Sequence, residues 1–389
     1  HHLCRHRWCI QSPLHLHASS LQFRSLRSYS TKPFQVNAIK YCPPPTRVAV
    51  ICIDGCADEY LQTALHHQRM PNLSKLLASG AFSWICKGAL PSFTNVNNAG
   101  IVTGTAPFRH GISGNFFVDE HNNEVMMNSN QYLDGENILE KAQQSGRKVC
   151  LITAKDKLRD LLGGNNLAAS PGGISLSTEF LKDADTKHNG IEYEYIMQSL
   201  MKHDTAFKSS YLQNTFTIYS GEASVNVLKL GVKLLESGLS DFAYLSLSDY
   251  IQHKYGPHRM EALDFYQQLD EQIGYLMQLE CTIGITADHG MNDKTEIIYL
   301  QQVLDKEFKH VFGDRIRVIC PITDPYVVHH GSLGSFVYVY VNEEGFEELE
   351  VDAEFDEFKQ SVMEFLESLQ GVTEVYCRDS THAVLQLPH

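Results

Sequence analysis

No stretch of this 389-residue chain approaches the roughly 20 consecutive apolar residues that a membrane-spanning helix needs, so no membrane partner is expected. Ten cysteines are present, yet none stands in a C-x-x-C pair. That spacing argues against both a structural zinc knuckle and a disulfide scaffold. Cys52 and Cys56 read most simply as small buried apolar residues. Residues 1–53 contain no Asp or Glu against seven Lys and Arg, so the formal net charge of −14 is concentrated beyond them. A body that acidic is a poor nucleic-acid binder, and nucleic acid is not an expected partner. An anionic substrate would need a local positive centre, which metal ions or buried lysines can supply.

Residues 1–31 carry Arg5, Arg7, Arg24, Arg27, five His and scattered Ser, without the apolar core of a secretory signal. They read as a transit peptide or a disordered arm, with a mitochondrial location expected in the first case and a cytoplasmic one in the second. The rest of the chain, with hydrophobic residues at 43% overall, is long enough for one large domain with an insertion.

Four apolar runs end in charged residues. Val48 to Ile53 runs into Asp54, Lys148 to Thr153 into Lys155 and Lys157, Phe242 to Leu247 into Asp249, and Thr282 to Thr286 into Asp288 and His289. Short, nearly unbroken apolar runs separated by helix-length segments are the pattern of strands buried on both faces of a parallel sheet. Ligands in such folds bind beyond the carboxyl ends of the strands, so the three Asp-bearing ends predict a metal-assisted site. If a helix follows Asp249, Asp249 and His253 at i and i+4 can face one ion. Lys155 and Lys157, read as an extended segment, place two ammonium groups on one side; the alternative is a solvated turn.

The segment Pro91-Ser92-Phe93-Thr94-Asn95-Val96-Asn97-Asn98 presents a hydroxyl at the first turn of a helix, where free N–H groups favour an anion. Thr94 is read as a nucleophile facing a phosphoryl group, with simple helix capping as the alternative. Downstream, the glycine-rich stretch Arg109 to Asn115 lets the backbone approach a ligand. Asn115 can donate to a phosphoryl oxygen there, or the stretch is a plain loop. Amphipathic helices are predicted over Glu59–Gly80 with a break at Pro71, over Leu139–Gly146, over 190–238 and over Leu263–Leu279. From residue 300 the texture changes: strand-like runs at 315–321, 334–341, 372–377 and 383–387, with an acidic amphipathic helix in 346–369, suggest an α+β cap. His329-His330 could offer one imidazole to the cleft.

Together, Ile53-Asp54-Gly55, Ser92-Phe93-Thr94-Asn95, Ser248-Asp249-Tyr250 with His253 and Gly256, and Asp288-His289-Gly290-Met291 resemble the alkaline phosphatase superfamily, in its phosphodiesterase/nucleotide pyrophosphatase branch. Finer wording resembles the phosphonoacetate hydrolases: Cys52-Ile53-Asp54-Gly55-Cys56, Thr153-Ala154-Lys155-Asp156-Lys157 and Val327-Val328-His329-His330-Gly331. The likeness runs from about residue 35 to the end.

The resemblance implies an α/β fold, an alkaline-phosphatase-like core over 32–299 with a mostly parallel central sheet flanked by helices, and a smaller cap over 300–389. It implies two zinc ions, one held by Asp54, Asp288 and His289 close to Thr94, the other by Asp249, His253 and a third histidine. That histidine is not found in its usual context, and the C-terminal return to the core is expected beyond His389. The implied substrate is a small anionic phosphonate, cleaved at its carbon–phosphorus bond, with Asn115, Lys155 and Lys157 binding it. A homodimer is one assembly open to the chain. Phosphodiester or nucleotide pyrophosphate cleavage is the alternative activity, and a non-catalytic binding role the reading if the last zinc ligand is absent.

Overall fold

The computed structural model describes residues 29–119, 121, 123–179, 220–320, 334–342 and 351–387. The strands in chain order are β1 (Phe34–Val36), β2 (Ile39–Tyr41), β3 (Val48–Cys52), β4 (Phe116–Val118), β5 (Glu124–Met126), β6 (Val149–Thr153), β7 (Gly173–Ser177), β8 (Phe242–Ser246), β9 (Thr282–Thr286), β10 (Ile316–Ile319) and β11 (Tyr338–Val341). Five of them form one sheet in the order β7-β6-β8-β3-β9, parallel throughout. The four apolar runs that end in charge are β3, β6, β8 and β9. β7 is a fifth strand that the sequence reading did not anticipate.

Every residue of β6, β7 and β8 is buried, as expected of strands covered on both faces. Ala49 and Ile51 of β3 face one hydrophobic cluster, with Tyr60, Leu228, Leu234, Leu269 and Ile273 from the helices Asp58–His66, Gly221–Ser237 and Met260–Gln278. Cys52 faces the other, with Val96, Leu139 and Leu158 from the helices Thr94–Thr103, Ile138–Gln144 and Asp156–Leu161. The period-two alternation of strand side chains thus builds two cores from one strand.

Register fixes where the chemistry falls. Cys52 pairs with Ser246 on one side and Thr286 on the other, and Thr153 also pairs with Ser246. The carboxyl ends therefore lie level, and Asp54, Lys155, Asp249 and Asp288 all emerge two or three residues later at one sheet edge. Gly55 makes the first of these turns possible: its φ is +70°, and an added Cβ would stand 3.0 Å from Asp249 Cβ.

At the opposite end of the strands, Arg147, 2% exposed, ties the start of the described chain to the sheet. Its guanidinium donates to the carbonyls of Ser30, Pro44, Thr46 and Asp241 at 2.8–3.2 Å and pairs with the Asp241 carboxylate. The Tyr29 ring lies 5.6 Å from the Arg47 guanidinium carbon and 5.5 Å from that of Arg147.

Beyond residue 300, the helix Leu300–Phe312, the antiparallel pair β10–β11 and the helix Val351–Ser368 share a core of their own, built on Leu304, Phe308, Ile316, Phe358 and Val362. Two strand expectations fail here. Residues 372–377 form no strand, and 383–387 falls mostly within the helix Arg378–Leu385, which Asp379 favours from its first turn. This helix reaches the core: Phe108 N donates to Gln386 O at 2.7 Å, and the His382 ring packs edge-on against Phe108. His329, His330 and residues 190–219 lie outside the described residues.

Candidate active site at the carboxyl edge of the sheet

Thr94 is the first residue of the helix Thr94–Thr103, and no side-chain hydrogen bond caps that helix. Its hydroxyl therefore serves no capping role; Oγ1 lies 3.2 Å from His289 Nε2 and 3.5 Å from Asp54 Oδ1. His289 Nε2 also stands 3.1 Å from Asp54 Oδ1, while His289 Nδ1 is 2.8 Å from Gly290 O. A carbonyl accepts only a proton, so Nδ1–H donates outward and Nε2 is the nitrogen turned to the cluster.

Asp54, Asp249 and His289 each offer an atom within 4.8 Å of the other two, a possible three-residue metal site. Asp249 and His253 meet at 2.9 Å across the turn into the helix Tyr250–Lys254, as the i, i+4 spacing predicted. Asp288, expected as a ligand with Asp54 and His289, is 1% exposed at the same edge. Its carboxylate accepts from Asn98 Nδ2 at 3.0 Å, from Gly55 N at 3.3 Å and from His289 N at 2.9 Å. His382 stays outside the cluster, with Nδ1 against Leu387 O.

Lys155 is the fixed cation of the site. Its Nζ lies 2.9 Å from Asp249 Oδ1 and 3.3 Å from Asp54 Oδ2. The segment is not extended as expected: Lys155 precedes the helix Asp156–Leu161, so Lys157 sits in the first turn of that helix, with its Nζ buried. Asn115 precedes β4 and carries a side-chain Oδ1 that is buried and has no hydrogen-bond partner among the described residues.

The electrostatics show a site rich in negative charge. Burial, reinforced by Asp54, pushes the Asp288 carboxyl up to about 7. Burial would raise Asp249 as well, but the Lys155 ammonium and the His253 hydrogen bond outweigh it and hold that carboxyl well below the usual range. Against burial, which would lower it, His289 is raised to about 10 by Asp288 and Asp54. Three buried carboxylates crowded against one ammonium and two imidazoles fit the binding of a divalent cation.

The sequence reading gave no role to Asn98, which organises the centre. It donates to Asp288 and to Thr94 O at 3.0 Å, and its Oδ1 accepts from Tyr244 at 2.8 Å and from Ser246 at 3.3 Å. The signal was present as amides repeated at helical spacing behind a hydroxyl.

A parallel α/β sheet that presents a threonine at a helix start, beside acids and histidines at the strand ends, defines a hydrolase of alkaline-phosphatase-like architecture. The model of the type I phosphodiesterase / nucleotide pyrophosphatase family matches residues 48–386, and the chain belongs to that family, whose superfamily is metal-dependent. The solved phosphonoacetate hydrolase of Sinorhizobium meliloti 1021, in complex with phosphonoformate, superposes with a TM-score of 0.76 at 35% identity, over 92% of this chain and 82% of that one. The same hydrolase in complex with phosphonoacetate superposes equally well. The venom phosphodiesterase of Naja atra is 27% identical over 61% of this chain, and bovine ectonucleotide pyrophosphatase/phosphodiesterase family member 3 is 27% identical over 67%. The chain spans about a quarter of the length of these two relatives, 25% and 26%.

Proposed function

We propose that the chain hydrolyses the carbon–phosphorus bond of phosphonoacetate to acetate and phosphate, with Thr94 as nucleophile. The observation that supports this reading is one buried cluster holding both the Thr94 hydroxyl and the Lys155 ammonium. A substrate charged at both ends gives each of them a task. Thr94 Oγ forms a bond to phosphorus as the P–C bond breaks, and its proton is lost towards Asp54, the carboxylate it faces. The P–C electron pair passes to the carbon next to the carboxylate, is delocalised into it as an enediolate, and is quenched by a proton to give acetate. Lys155 and Lys157 stabilise that charge, and the Asn115 amide holds the phosphoryl oxygens. Water then attacks phosphorus, the bond to Thr94 breaks, and the hydroxyl regains its proton as phosphate departs.

Asp54, Asp249, His289, Asp288 and His253 would hold the metal, two zinc ions by the family resemblance. When bound, these ions supply Lewis acidity at the phosphoryl oxygens and neutralise charge. The composition of residues 1–31 supports a mitochondrial location.

Substrate discrimination tests the reading. A hydrogen bond from a charged group is worth about 1.5–3 kcal/mol, or roughly one to two decades in rate. Lys155→Ala and Lys157→Ala are each expected to lower kcat/KM for phosphonoacetate at least tenfold and to affect an aryl phosphate ester with a neutral tail much less. Equal losses on both substrates, or preferred turnover of nucleotide diesters by the wild-type protein, would move the assignment to phosphodiester cleavage, the activity for which the family is named.

A further inference from the structure

We propose that Asn95 is a positioning residue: its side chain clamps the β4–β5 hairpin to the head of the Thr94 helix and so sets the place of Asn115 relative to the nucleophile. This rests on the roles given above to Thr94 and Asn115. Asn95 Nδ2 donates to Met127 O at 2.7 Å, and Met127 N donates to Asn115 O at 2.8 Å. A single residue, 6% exposed, thus links the amide next to Thr94 to the amide that meets the phosphoryl group. The register agrees: Phe116 of β4 pairs with Met126 of β5, which puts Asn115 opposite Met127 at the open end of the ladder.

A short polar side chain in the first turn of a helix ordinarily turns back to its own backbone. Asn95 reaches instead across 32 residues of sequence, to a different element. The hairpin is gripped from the other side by the elements beyond residue 300. Tyr338 Oη donates to Ser113 O at 2.9 Å, Val118 N donates to Tyr340 Oη at 3.4 Å, and Arg317 pairs with Glu124 at 2.7 Å. Asn95 is the side chain of the Thr94 helix that, among the described residues, opposes this grip with a hydrogen bond. Without it, the hairpin follows the cap elements rather than the nucleophile.

A double-mutant cycle on kcat/KM for phosphonoacetate separates positioning from mere stabilisation. Asn95→Ala and Asn115→Ala are each expected to lose at least tenfold. The double variant should fall within about threefold of the worse single, because both remove the same placed amide. Asn95→Asp, which keeps the shape but not the donor, should remain impaired; Asn95→Gln should regain part of the rate. Fully multiplicative losses would overturn the proposal. A second measurement needs no turnover: hydrogen exchange of the Met127 amide should quicken at least tenfold in Asn95→Ala, while the Ile51 amide in the central sheet keeps its rate. An unchanged Met127 amide also overturns the proposal. If the wild-type protein cleaves neither phosphonoacetate nor a nucleotide diester, the functional reading falls, and the exchange experiment still decides the role of Asn95.

Discussion

Replacing Lys155 with methionine removes one charge from the centre while keeping most of the stem. The ammonium makes two charge-assisted contacts, 2.9 Å to Asp249 and 3.3 Å to Asp54, and those acids are 7% and 0% exposed. At about 1.5–3 kcal/mol each, the two contacts have a gross worth of about 3–6 kcal/mol. The lysine side chain is itself 35% exposed, so water recovers part of the loss when it is removed. Screening of that kind leaves about 2–3 kcal/mol, because two buried carboxylates then lack their cation. For a domain of this size the melting temperature should fall by about 5 °C in a buffer containing chelator. Added zinc should restore most of that fall, since a dication supplies the missing charge between the same oxygens. Lys309→Met, which breaks the exposed pair with Asp314, is the control and should move the melt little. A Lys155→Met protein that melts like wild type in chelator would refute the argument that this ammonium balances the two acids.

Thr94→Ala should abolish turnover by about three orders of magnitude or more, yet leave the melt nearly unchanged, because the hydroxyl caps nothing; near-normal activity would return Thr94 to a structural role. His110 is fully buried, accepts from Ile112 N through Nδ1, and is lowered by burial from 6.5 to about 4. The unfolded chain takes up this proton first, so the stability it contributes is complete above pH 6.5 and is lost as pH falls towards 4, about 3 kcal/mol in all. In His110→Asn, denaturant titrations should show that part of the acid slope gone; an unchanged slope would contradict the assignment. Arg147→Met should cost about 3–5 kcal/mol, measured by chemical denaturation, because Asp241 and four carbonyls lose their donor.

The sheet was legible where a strand is an apolar run closed by a charge, as in β3, β6, β8 and β9. β7 was not, because Gly173-Ile174-Ser175-Leu176-Ser177 has only two large apolar residues, and its burial is imposed by neighbours such as the helix Gly164–Ala168. The site residues were legible as individuals, since level strand ends turn sequence position into proximity. Their partnerships were not. Whether Asp288 faces Asn98 or an ion, and whether Lys155 faces a substrate or two acids, depends on side-chain directions that spacing does not encode. The extended Lys155–Lys157 geometry failed because a helix begins between them, and the Ala383–Leu387 alternation because a helix already begun at Arg378 runs into it as far as Leu385.

The anchoring of Tyr29 and Ser30 by Arg47 and Arg147 sets a limit on how far the chain can be shortened from its start. A truncation that keeps this anchor ends at a bond preceding Tyr29. A later cut would strip the guanidiniums of their aromatic partner and leave buried N–H groups without acceptors. The same boundary governs engineering: a tag or fusion joined upstream of Tyr29 leaves the anchor intact, whereas a start placed within 30–46 gives a protein that folds at a disadvantage from its first residue.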